Sequence, residues 1–92
     1  MNNDLEYGDD LEYGDVLACQ ILVASELGLT KQGVDFAKLQ LQKKLFSLQF
    51  SQLEIAASEA NKNVKNAGLI DKANELLLIK IEEVKSRKVL AK

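Results

Sequence analysis

The chain has no histidine, no proline and no tryptophan, and only one cysteine and one methionine among its 92 residues. Without histidine there is no imidazole base for a nucleophilic triad, no common proton shuttle at neutral pH and no His-containing zinc site. Cys19 alone can make neither an internal disulfide nor a Cys-rich metal site. It lies beside Ala18 and Ile21 in an apolar stretch and reads as an inert small hydrophobe. A leader with a charged start and apolar core is missing, as is an apolar run of about 18 residues. The expectation is a soluble, cytoplasmic protein without a membrane span. Gly28 and Gly33 are not followed by Gly-Lys-Ser/Thr, so there is no phosphate loop. Glu82 and Glu83 are helix neighbours that point about 100° apart, which suits a solvated face better than a carboxylate pair. No catalytic, metal or cofactor set emerges, and the sequence points to binding rather than catalysis.

What is present fits one folded domain. Hydrophobic residues make up 47% and charged residues 28%, an ordinary balance for a globular chain. The net charge of −2 conceals a division. Residues 1–15 hold six acids and no base, residues 16–61 four of each, and residues 62–92 eight bases against four acids. The acidic segment contains a tandem hexapeptide, DLEYGD at 4–9 and again at 10–15. Two copies are too few for a repeat architecture. Polar, short and broken by glycine, residues 1–15 are expected to form a disordered arm. Its Tyr7, Tyr13, Asp9 and Asp10 are candidates for docking on a basic partner protein, because tyrosine brings contact area at low entropy cost. A solvated tail, or a cover over the basic body, would use the same residues. The twelve-residue spacing of a calcium loop is absent.

Residues 16–92 read as a single all-α domain. Asp15 is a good N-cap for a first helix with apolar residues at Val16, Leu17, Gln20-flanked Ile21, Ala24 and Leu27, which Gly28 ends. No Gly or Pro interrupts Val34 to Ala67, so one helix of about 30 residues is expected there. Its main stripe is Leu39, Phe46, Phe50, Leu53, Ala57, Ala60, Val64 and Ala67, and the shift from Phe to Ala predicts closer helix approach in the carboxyl half. Leu39–Gln42 and Leu48–Phe50 alternate like strands, but no turn residues separate them. Asp71 then caps a third helix with Ala73, Leu77, Ile81 and Val84 as its stripe, and Lys85, Arg87, Lys88 and Lys92 suit its negative end. The two long helices are expected to form an antiparallel hairpin. Its broad apolar surface, with Phe46, Phe50, Leu53, Ala57, Leu77 and Ile81, is the expected interface of a homo-oligomer.

Residues 20–39, QILVASELGLTKQGVDFAKL, resemble the helix-turn-helix DNA-binding family. Val23, Ala24, Leu27, Gly28, Leu29 and Val34 stand at the family's packing and turn positions, while Ala37 replaces a larger aliphatic residue. The resemblance covers about twenty residues. It implies a recognition helix starting near Thr30, with Thr30, Lys31, Gln32, Asp35 and Lys38 outward. Lys31 and Lys38 would contact phosphates of double-stranded DNA, and Gln32 an adenine edge. Asp35 opposes that role, and a plain helical corner needs the same Ala, Gly and apolar residues. The layout, with an oligomerising hairpin after the motif, is similar to phage or plasmid regulators and to the small subunits of phage terminases. The alternative is a non-enzymatic interaction module, an inhibitor or adaptor that binds through its acidic arm.

Overall fold

The computed structural model describes residues 11–90, with side chains through residue 87. They form α1 (Tyr13–Glu26), α2 (Val34–Leu41), α3 (Ser47–Asn66) and α4 (Ile70–Leu90), with no strand among the described residues. The all-α expectation is met. Residues 1–10 of the expected arm lie outside the described residues.

The first helix starts earlier than its sequence suggests. Glu12 is the N-cap, and Asp15 is the third helical residue rather than the cap. Its Oδ2 accepts the Glu12 backbone N–H at 3.1 Å, so the carboxylate expected to cap from outside does so from within. Tyr13, Gly14 and Asp15, expected in the arm, form the first turn of α1. Farther along, Leu17, Ala18, Cys19, Ile21, Val23 and Ala24 are buried on several sides of α1. A helix apolar around most of its circumference sits at the centre, and α3, α2 and α4 pack around it to decreasing extents.

The core is built largely from small residues. Ala18 and Ala24 of α1, Ala37 of α2 and Ala57 and Ala60 of α3 are buried, with Ile21 and Leu53 as the large side chains between them. Methyl groups in place of larger side chains leave room for helix axes to approach closely. The partner of the α3 stripe is α1, however. α3 and α4 touch little, so the expected hairpin is not the organising unit. α4 instead leaves the turn at 67–69 and crosses α1, burying Val84 and pairing Lys80 with Glu26 at 2.8 Å.

The expected 30-residue helix is two helices. Lys43 adopts φ +60°, and its N–H and that of Lys44 return to the carbonyls of Gln40 and Leu39, closing α2 with a Schellman motif. The left-handed conformation costs a non-glycine residue about 1–2 kcal/mol, and the compensation comes from residues far away in sequence. The Lys43 Nζ lies 2.8 and 2.9 Å from the two Asp15 oxygens and 3.0 Å from Glu12 Oε1. α3 then restarts at Phe46, whose N–H is accepted by the Gln49 side chain at 3.1 Å.

Candidate nucleic-acid interface

The α1–α2 corner is assembled by two glycines and an asparagine. Gly28 closes α1 with its N–H on the Ser25 carbonyl, while Leu29 N–H returns to Ala24. The connecting segment then runs to Gly33, where φ is +81° and a Cβ would stand 2.4 Å from that of Ala56. Both the backbone angle and the contact with α3 restrict this position to glycine. Asn63 of α3 donates its amide N–H to the Leu29 carbonyl at 2.9 Å, pinning the segment from the other side. Ala24 and Ala37 are buried where the two helices meet.

The start of the second helix differs from expectation. It begins at Val34 rather than near Thr30, because Gly33 is in a conformation that no right-handed helix contains. Thr30, Lys31 and Gln32 are thus in the connection, with Thr30 donating its hydroxyl to the Gln32 carbonyl at 3.4 Å. Lys31 and Gln32 are exposed, and Asp35 and Lys38 are exposed on α2. Lys44 is exposed just beyond it. Lys31, Lys38 and Lys44 make no ion pair among the described residues, whereas Lys43 is committed to Asp15 and Glu12.

A cleft between α2 and α4 adds residues that sequence reasoning missed. It has a volume of about 560 Å³, and Lys38 of α2, its C-cap Gln42, Ser25 of α1 and Arg87 of α4 line it above an apolar floor. Lys80 and Glu26 are also in its wall, bound to each other at 2.8 Å, and Lys80 reaches Glu83 at 3.6 Å. The hydrogen bond that Lys80 donates to the Glu26 carboxylate lifts the Lys80 pKa above the ordinary lysine value despite partial burial. Arg87 is expected at the negative end of the last helix. Its spacing of seven from Lys80 and three from Val84 already placed it on the stripe that turns inward.

The remaining candidates are scattered. Tyr13 stands at the start of α1, largely exposed, with its ring centroid 6.4 Å from that of Phe50, so it is part of the fold rather than of a free arm. Tyr7, Asp9 and Asp10 lie outside the described residues. Leu53 and Ala57, expected at an oligomer interface, are buried within the single chain. Phe50, Leu77 and Ile81 are half-buried, and Phe46 is exposed. The most exposed large apolar side chains are Leu48 at 88%, Phe46 at 72%, Ile55 at 68% and Leu78 at 67%. Cys19 is buried, and desolvation, followed by the nearby Asp15 charge, pushes its thiol pKa up, which suits an unreactive side chain. No group of three or more potential metal ligands occurs among the described residues, and none of their helices is long and apolar enough to cross a membrane. The chain matches no protein-family model, no curated protein and no solved structure.

Proposed function

We propose that this chain is a small non-catalytic DNA-binding protein of the cytoplasm, a regulator that contacts the duplex backbone through the α1–α2 corner. The observation that carries this reading is the set of three exposed lysines, Lys31, Lys38 and Lys44, without acidic partners on and beside a helix held by a glycine-built corner. Phosphate neutralisation supplies most of the affinity of such proteins, and each contact steepens the dependence on salt. Gln32 is the candidate for a base edge. A salt series with a generic duplex tests the reading. Binding with a steep negative slope is expected, lowered by about 1 for each of Lys31→Ala and Lys38→Ala. No binding at low salt would overturn it.

The exposed Leu48, Ile55, Leu78 and Ile79 favour a second reading, an interaction module that buries these residues against a partner. Self-association would use the outer face of α3, and the acidic residues before Leu11 would take a basic protein surface. Light scattering of the wild type and of Leu48→Lys/Ile55→Lys tests the first contact. Deleting residues 1–9, which leaves Glu12 and Asp15 in place, tests the second.

A further inference from the structure

We infer that the cleft between α2 and α4 is a binding site for a phosphate ester, held by Lys38 and Arg87. This deepens the DNA-binding reading, on which it partly rests, and adds a site that the corner alone does not contain. Three features of the cleft converge on that ligand class.

The first is charge. Of the three cations in the wall, Lys80 is taken up by Glu26 and Glu83. That arrangement also occupies the acids, so the charges of Lys38 and Arg87 face the cleft without an ion-pair partner among the described residues. Two uncompensated cations delivered by different helices bring positive charge to one cleft from two sides. The second is hydrogen bonding. A guanidinium offers a planar fork that matches two phosphate oxygens, and a lysine adds a point charge. Ser25 and Gln42 line the same cleft with further donors. The third is shape. About 560 Å³ exceeds what a phosphate group needs, and the floor is apolar, formed by Leu22, Val34 and Leu41. An ester whose phosphate meets the cations while its carbon body covers those side chains fits both halves. A nucleic-acid backbone and a free nucleotide share this chemistry.

The test is an NMR titration of the full chain, following the Arg87 Nε–H and the backbone amides of Lys38 and Gln42. The probes are inorganic phosphate, adenosine monophosphate and a short generic DNA duplex. Saturable shifts at these three residues with the monophosphate or the duplex are expected, together with at least about a tenfold loss of affinity in Lys38→Ala/Arg87→Ala. Both side chains are exposed, so unchanged circular dichroism and melting would show that the variant folds. If the monophosphate binds and the duplex does not, the phosphate site stands and the DNA-binding reading falls. If the duplex binds, its affinity drops with Lys31→Ala, and Arg87→Ala changes neither affinity nor salt slope, then the corner stands and this site falls. Absence of shifts at Arg87 with all three probes also overturns the site.

Discussion

Asp15 is a carboxylate with no solvent exposure in a chain of 92 residues, and its environment explains why it is tolerated there. It accepts from the Glu12 N–H, from the Gln40 amide at 3.2 Å and from the Lys43 ammonium, all at the positive end of α1. Removing the lysine charge would leave a buried anion short of its strongest donor. Lys43→Met is therefore expected to destabilise by about 1–3 kcal/mol in chemical denaturation, discounted because the Lys43 side chain is partly exposed. Lys43→Gly should be less damaging than Lys43→Ala by about 1 kcal/mol, since glycine removes the cost of the left-handed angle. The same residue gives a pH signature. Partial burial works to lower the Lys43 pKa, but hydrogen bonds and charge from Asp15 and Glu12 outweigh it, and the net shift is upward from 10.5. A raised lysine contributes fully below its unfolded value and loses that contribution as pH climbs through the folded one. Thermal melts should fall off above pH 10.5, and the part due to Lys43 should vanish in Lys43→Met while that of Lys80 remains.

The helices show which structural information is local. The 3.6-residue period of α3 was legible, and Leu53, Ala57, Ala60 and Val64 are its buried residues. Leu53→Ala should cost about 2–5 kcal/mol, whereas Leu48→Ala on the opposite face should stay within about 0.5 kcal/mol. Equal values in urea denaturation would contradict the assignment of inner and outer faces. The break between α2 and α3 was not legible. Helix ends are usually marked by Gly, Asn or Pro, and here a lysine takes the left-handed position because its partners, Glu12 and Asp15, come from the other end of the fold. The late start of α2 has a similar origin. Gly33 was visible, but its contact with Ala56 of α3, which fixes its conformation, was not. Likewise, nothing local reveals that α1, rather than α4, covers the α3 stripe.

Across the whole molecule, folding redistributes a charge pattern that looked unfavourable in one dimension. Residues 16–61 have no net charge, yet Glu26 is held by Lys80, and Arg87 arrives beside Lys38 from α4. The candidate corner was readable from Ala24, Gly28 and Val34, while the basic cleft was not, since it depends on where α4 crosses. Asp35 remains the exposed acid on α2. If that surface meets phosphates, Asp35→Asn should strengthen duplex binding by about three- to tenfold at low salt, with the gain shrinking as salt screens it. A fluorescence-anisotropy titration at two salt concentrations measures this. The seating of Glu12, Tyr13 and Asp15 at the head of α1 also bears on the tandem hexapeptide. The fold uses the copy adjoining Val16, and both copies are identical, so excising either one yields the same polypeptide. Loss or gain of a unit would therefore leave the head of α1 chemically unchanged, and copy number is free to drift or to be selected for reasons unrelated to folding.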